Sequence, residues 1–134
     1  MERHPILAWL LAALLAAPLG AAAQGATEAQ TALMQQIGEC LFAGLPSDWR
    51  EAEMYITLKK AGDETGDARY TMIRSLSGGQ VENFVPCSDK QPAKTFAREI
   101  RKLQPQDKRG WTSARFTVYR EGRFDLTFGY PKQN

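Results

Sequence analysis

The spacing of apolar residues predicts two helices in the chain. In residues 27–44, Leu33, Ile37 and Leu41 recur every four positions, which places them on one face of a helix. A second helix is predicted for residues 90–103, because its apolar residues also return at intervals of three or four.

Five extended segments alternate between apolar and polar residues, as half-buried strands do. The clearest alternation covers residues 51–59, with Met54 and Ile56 on the apolar side and Glu53 and Tyr55 on the polar side. The other four predicted strands cover residues 69–76, 81–87, 113–119 and 123–130.

The first predicted hairpin turns at Gly78 and Gly79, since paired glycines suit a tight two-residue turn. This register directs Cys87 into the core, on the same side as the apolar stripe of the first helix. The predicted pairs are Leu76 with Val81, Met72 with Val85, and Tyr70 with Cys87.

The second predicted hairpin closes through a three-residue loop, residues 120–122, with Gly122 in the left-handed region. This loop pairs Val118 with Phe124 and keeps the apolar sides of both strands together. A two-residue loop would place Val118 opposite Asp125, so the odd loop length is preferred.

The resulting element order is α-β-β-β-α-β-β. We expect an α+β fold with a mainly antiparallel five-stranded sheet and both helices on one face, because each strand has one apolar side to cover. Residues 24–134, about 111 residues, are enough for a single domain with one core.

Residues 1–23 are predicted to be a cleavable signal peptide. Arg3 gives a basic start, an apolar run begins at Ile6, and three alanines precede Gln24. The alternative is a membrane anchor, but the run falls short of the roughly 20 apolar residues needed to span. We expect cleavage between Ala23 and Gln24, a periplasmic product and no stable membrane span afterwards.

The two cysteines of the chain, Cys40 and Cys87, are predicted to form a disulfide, because an even count in an exported chain favours pairing. A loop of about 48 residues closed in this way is worth about 4 kcal/mol in the chain-entropy model. The alternative is a pair of buried thiols.

The residue inventory removes the common catalytic arrangements from the mature chain. The full chain has one histidine, His4, which is removed with the signal peptide. The mature protein therefore cannot have a Ser-His or Cys-His nucleophile or an imidazole metal ligand. A two-carboxylate glycosidase would have to use Glu51 and Glu53, which fit a solvated strand edge better. The acidic loop 63–67 lacks the spacing of an EF-hand. We expect no enzymatic activity, no cofactor and no metal site.

Charge is divided unequally along the mature chain. Residues 24–89 contain 5 Lys and Arg against 10 Asp and Glu, whereas residues 90–134 contain 11 against 4. Nucleic-acid binding ordinarily requires a larger overall excess than the net +2 of this chain. We interpret the basic half as a solvated helix face and strand edges, and expect no nucleic-acid partner.

The sheet face away from the helices is the predicted partner-binding surface. Tyr and Trp beside Arg are typical of interface hot spots. The alternative is that loops or the C-terminal tail cover this face, and Trp111 in particular would then lie under the loop 104–110 as part of the core. The candidate residues are Tyr55, Ile73, Phe84, Trp111, Arg115 and Tyr119.

Two stretches of the chain, taken together, resemble a known family. The first is Leu-Pro-Ser-Asp-Trp at residues 45–49, which leads directly into an alternating strand. The second combines Trp111, the strand around residues 116–118, and residues 122–130 with their Gly-x-Phe and closing Phe-x-Tyr. This pattern resembles the YezG-like immunity proteins of bacterial polymorphic toxin systems. The resemblance implies a small α+β antitoxin that binds and neutralises a co-encoded toxin.

The export signal and the predicted disulfide depart from these relatives, which are mostly cytosolic. Together with the export signal, the resemblance implies that the cognate toxin or effector acts in the cell envelope. The sequence therefore predicts an exported immunity or inhibitor protein. The alternative is a periplasmic enzyme or small-ligand-binding domain, which a deep pocket with converging carboxylates would favour.

Overall fold

The computed structural model of the chain describes residues 27–132, so the predicted signal peptide and its cleavage site lie outside the described residues. Among the described residues, 27–32 and 33–132 belong to separate units of the chain. In the described part of the first unit, Gln30 donates its backbone N–H to Thr27 Oγ1 (3.0 Å), and Thr27 donates its own to Gln30 Oε1 (3.3 Å). This reciprocal pair is a capping box that starts the first helix.

The predicted element order, α-β-β-β-α-β-β, is confirmed in the described residues. All strand pairs are antiparallel, and the spatial order of the sheet is β3-β2-β1-β4-β5. Short 3₁₀ helices occupy Ser75–Ser77 and Gln106–Lys108. The elements are α1 (Glu28–Phe42), β1 (Trp49–Thr57), β2 (Asp67–Arg74), β3 (Val81–Asn83), α2 (Gln91–Leu103), β4 (Ser113–Tyr119) and β5 (Phe124–Gly129).

One hydrophobic core fills the space between the helices and the sheet. The part of α1 within the second unit contributes Met34 and Ile37, and α2 contributes Phe96 and Ile100. They belong to the same cluster as the inward side chains of β1, β2 and β4, such as Met54. Both helices therefore cover one sheet face, as predicted. No helix among residues 27–132 is long and apolar enough to cross a membrane.

The β4–β5 hairpin has the predicted register. Val118 lies opposite Phe124, and Phe116 lies opposite Leu126. Gly122 has φ +100°, the left-handed conformation that the three-residue loop requires.

The predicted β2–β3 register is wrong by three residues. Ile73 lies opposite Val81 and Met72 lies opposite Glu82, because a longer connection, residues 75–80, replaces the tight glycine turn. An odd shift moves every side chain of a strand to the other face. Phe84 is therefore buried (8% exposed), whereas the predicted inward residues Val81 and Val85 are 65% and 71% exposed.

Asp48 holds this longer connection in place. Its carboxylate accepts a hydrogen bond from Arg74 Nε (2.8 Å) and one from the Leu76 backbone N–H (3.4 Å). Its carbonyl accepts another from the Ser75 N–H (2.9 Å). Burial by itself would raise the pKa of Asp48, but the bonds to Arg74 and Leu76 lower it overall.

Cys40 and Cys87 are joined as a disulfide, with an Sγ–Sγ distance of 2.03 Å. The bridge ties α1 to the segment between β3 and α2, and the Cys87 N–H also donates to the Cys40 carbonyl (2.9 Å). The expectation that Cys87 faces the core is wrong, because the register shift leaves Cys87 exposed at the surface.

Candidate partner-binding face

The sheet face opposite the helices, which we call the open face, carries three rows of side chains across β2, β1 and β4. Neighbours in a row lie on adjacent strands, close enough for their side chains to interact. The rows are Ile73–Glu51–Tyr119, Thr71–Glu53–Thr117 and Arg69–Tyr55–Arg115.

Tyr55 lies between two guanidinium groups. The Cζ of Arg69 is 5.3 Å from the centre of the Tyr55 ring, and that of Arg115 is 5.0 Å from it. Each contact is a cation–π interaction between antiparallel neighbours. Tyr55 is half-buried by these flanking groups, and both arginines are exposed.

Glu53 connects the second and third rows. It lies 3.3 Å from Arg115 Nε and accepts a hydrogen bond of 3.5 Å from Thr117 Oγ1. Thr117 is only 7% exposed, although its strand position faces away from the helices. The polar side chains around it therefore cover the centre of the open face closely.

Tyr119 is held in a second cluster at the β4–β5 side of the open face. Its hydroxyl donates to Asp125 Oδ2 (2.9 Å), and the Cζ of Arg123 lies 3.7 Å from the centre of its ring. The bond to Asp125, with a contribution from burial, raises the pKa of Tyr119. Four predicted residues, Tyr55, Ile73, Arg115 and Tyr119, thus lie on the open face.

Trp111 does not lie on the open face, and the prediction that placed it there is wrong. Its side chain is fully buried (0% exposed) and packs against Phe96 and Phe128. β4 begins only at Ser113, so the alternation of the strand does not extend back to Trp111. The indole Nε1 donates to Gln104 Oε1 (3.0 Å), which satisfies its polar edge in the core.

Phe84 is also misplaced by the sequence prediction. The observed register puts its ring on the helix side of the sheet, 6.1 Å from the ring of Tyr70 in an edge-to-face contact. Val81 takes the corresponding place on the open face, opposite Ile73. Sequence reasoning missed Val81 because the glycine-pair turn assigned it to the core.

A cleft of about 720 Å³ lies between the start of β2 and the start of α2. Tyr70 forms part of its wall, donates its hydroxyl to the Asp89 carbonyl (2.8 Å), and has its pKa raised to about 12 by burial. The charged residues that line it are Glu64, Asp67, Asp89, Lys90 and Lys94. Within residues 27–132, no three acidic, His or Cys side chains approach closely enough to hold a metal ion.

The two glutamates considered for a glycosidase do not line this cleft. Glu51 and Glu53 are on the open face, and Glu53 pairs with Arg115.

The fold and its uncovered surface define a two-layer α+β protein with one helix-covered and one open sheet face. Comparison with models of protein families and with curated proteins found no match.

Proposed function

We propose that the protein is an exported inhibitor or immunity protein, which binds and neutralises a cognate toxin acting in the cell envelope. The observation that supports this most is the open face, where Tyr55 and Tyr119 are exposed in part and already held by neighbouring arginines. Tyrosine and arginine are enriched among the residues that dominate binding energy at protein interfaces.

The fixed positions of these side chains favour a role in protein binding over simple exposure to solvent. Tyr55 between two guanidinium groups, and Tyr119 fixed by Asp125, lose less conformational freedom when a partner covers them. The remaining polar groups, such as Glu53, supply the hydrogen-bonding and charged positions that make an interface selective.

Two further features fit an exported inhibitor. The alanine-rich segment that ends at Ala23 has the pattern of a signal peptide, and the Cys40–Cys87 pair suits an oxidising compartment such as the periplasm. The resemblance to YezG-like immunity proteins implies a toxin as the partner. An exported antitoxin meets its toxin outside the cytoplasm, so we place the target of that toxin in the envelope.

The cleft beside Tyr70 supports a second candidate function, the binding of a small ligand. Its volume of about 720 Å³ lies within the range of small-molecule sites, which is about 300–1,000 Å³. We rank it second because its five charged lining residues, Glu64, Asp67, Asp89, Lys90 and Lys94, are all exposed to solvent, where polar contacts contribute least to binding.

The test of the first proposal uses the mature protein with Tyr55→Ala, Tyr119→Ala and both together. A partner is captured from the envelope fraction of the producing strain, identified, purified and titrated against each variant. Each substitution is expected to weaken binding by about 2 kcal/mol, or roughly thirtyfold, because both rings are interface anchors.

Tyr130→Ala is the matched control. Tyr130 follows β5, is 46% exposed, and donates its hydroxyl to the Lys108 carbonyl, away from the open face. It is expected to leave the affinity unchanged. Unchanged affinity in the Tyr55/Tyr119 double variant, with unchanged unfolding, would contradict the proposal and make the acidic loop 63–67 the next candidate surface.

A further inference from the structure

β5 forms one edge of the sheet, because no further strand among the described residues lies beyond it. The Tyr119 N–H donates to the Arg123 carbonyl (2.9 Å), which fixes the alternation of the hydrogen bonds between β4 and β5. Every second residue of β5 therefore turns its N–H and C=O groups toward β4, and the residues between them turn theirs to the free edge. The residues with outward backbone groups are Phe124, Leu126 and Phe128.

β5 lacks the features that usually protect an edge strand from pairing with another chain. Protected edge strands are very short, are interrupted by a bulge, or carry lysine or proline. β3, at the other edge, has only three residues. β5 has six residues in a continuous register with β4, and neither lysine nor proline is among them. The β5 edge is therefore open to the addition of a strand.

A pocket of about 320 Å³, which we call the α1 pocket, lies between α1 and the β4–β5 hairpin. Phe124 of the edge strand forms part of its wall, as does Phe42, whose side chain is 43% exposed. Glu39 is the only charged residue among the described residues that line it, so the α1 pocket suits an apolar side chain. The remaining lining residues are Met34, Gln35, Gly38, Phe116, Val118 and Gly122.

Gly38 keeps the α1 pocket open. A Cβ at this position would come no closer than 3.6 Å to the Phe42 ring, which is ordinary van der Waals contact. Packing of the described residues therefore does not require glycine here, although glycine weakens the interior of a helix relative to alanine. A side chain larger than that of alanine would take up space in the pocket.

We infer that the partner protein adds an extended segment to the β5 edge and places an apolar side chain of that segment in the α1 pocket. Outward N–H and C=O groups at every second residue match the backbone of a strand, and strand addition to a free sheet edge combines such bonds with pockets for alternate side chains. This inference rests on the proposed function and specifies the contact segment of the partner. The other side of the added strand would continue the open face, where β5 contributes Asp125 and Thr127.

A second copy of the chain is a less suitable occupant. The inward side chains of its own β5 already pack in its own core, Phe128 against Phe96 and Phe124 against Phe116. Pairing of two β5 strands would therefore satisfy the outward backbone groups but leave the α1 pocket of each copy unfilled.

The first arm of the test places photo-cross-linking benzoylphenylalanine at Gln35, an exposed residue that lines the α1 pocket, and irradiates the producing strain. The same probe at Thr57, an exposed residue on the open face, is the comparison position. We expect adducts with the same partner at both positions. At residue 35, mass spectrometry should identify a partner segment that has apolar residues at alternate positions.

A synthetic peptide of that cross-linked segment is the probe of the second arm. Its binding is expected to slow amide hydrogen exchange at Leu126 and Phe128 by about tenfold or more. Exchange at Asp125 and Thr127, whose N–H groups face β4, should not change. Unchanged exchange at Leu126 and Phe128 would overturn the inference.

Two versions of the peptide, N-methylated at complementary sets of alternate residues, test whether its backbone pairs with β5. Only one of the two sets faces β5 in an added strand, so one version should lose binding and the other should keep it. Equal binding of the two versions would overturn the inference.

Gly38→Leu, which fills part of the α1 pocket, is expected to weaken binding of the unmethylated peptide by about tenfold or more. Gly38→Ala is the matched control and should leave the affinity unchanged, because its methyl group makes only ordinary contact with Phe42. Unfolding curves verify that both variants are folded, and the exchange measurement on the unsubstituted protein decides the question if Gly38→Leu is not. Equal affinities of the two folded variants would overturn the inference.

The cross-linking positions separate failure of this inference from failure of the proposed function. An adduct at residue 57 with none at residue 35 would retain the proposed function and reject the β5 edge as the contact site. Adducts only between copies of this chain would replace the partner by a dimer and reject both proposals. Absence of adducts at both positions would likewise reject both.

Discussion

Trp111 is the side chain that joins the end of α2 to the β4–β5 side of the core. It packs on Phe96 and Phe128, and the Cζ of Arg101 lies 4.5 Å from the centre of its ring. Gln104, itself only 6% exposed, accepts the indole N–H. A buried amide is thus present in the core because a buried indole donor requires an acceptor.

Gln104→Leu is expected to destabilise the protein by about 1–3 kcal/mol, because it removes this acceptor and leaves the Trp111 N–H unsatisfied. Urea unfolding, followed by tryptophan fluorescence, measures the effect. Gln106→Leu, at an exposed position in the next turn, is the matched control and should change stability by less than about 0.5 kcal/mol. Equal effects of the two substitutions would contradict the role given to Gln104.

The location of Trp111 shows where sequence patterns stop being informative for single residues. Alternation correctly places Tyr55, Arg115 and Tyr119 on the open face, because each belongs to a strand and is paired with a residue of the neighbouring strand. Trp111 lies two residues before β4, and only its packing against α2 determines its direction. The pattern of the strand contains no information on that packing.

At the scale of elements, Asp48 connects the start of β1 to the end of β2. Its carboxylate holds Arg74 and the Leu76 N–H, and these bonds lower its pKa in the folded protein. Because the pKa of this carboxyl is lower in the folded protein than in the unfolded chain, the carboxylate stabilises the fold at pH values above its unfolded pKa. This stabilisation is lost as the pH falls through the folded pKa.

Asp48→Asn is therefore expected to cost stability at neutral pH and progressively less in acid. Unfolding free energies of wild type and variant, measured from about pH 7 to about pH 2, should converge as the carboxyl is protonated. Asp67→Asn, on an exposed position of β2, controls for the loss of one negative charge. A difference between wild type and Asp48→Asn that is constant over this range would be inconsistent with the ion pair.

The two hairpins differ in what their sequences specify. For β4–β5, only an odd loop aligns Val118 with Phe124, so alternation determines the register. For β2–β3, the glycine pair suggests a tight turn, and either register buries some apolar residues of the second strand. The contact from Asp48 to the loop comes from outside the hairpin, and the packing of Phe84 on Tyr70 belongs to the observed register alone.

Alanine substitutions at two adjacent positions distinguish these registers. Phe84→Ala should cost about 3–5 kcal/mol, because it removes a buried ring that packs on Tyr70. Val85→Ala should stay within about 0.5 kcal/mol, because Val85 is exposed. The register with Met72 opposite Val85 gives the reverse order, so calorimetric or urea unfolding of the two variants decides the question.

At the scale of the whole molecule, the sheet separates the parts that maintain the fold from the surface proposed for binding. The helix side carries the core, and the disulfide ties α1 to the segment that follows β3, with Cys40 and Cys87 separated by 47 residues. Closing such a loop restricts the unfolded chain by about 4 kcal/mol in the chain-entropy model. Residues on the open face are therefore free to serve recognition without supporting the core.

Chemical-shift mapping of the labelled mature protein with its purified partner tests this account most directly. Binding through the open face predicts the largest changes at Tyr55, Arg115 and Tyr119, with small changes along α2. The largest changes around Tyr70 and Lys94, which line the cleft, would contradict the account and favour ligand binding there.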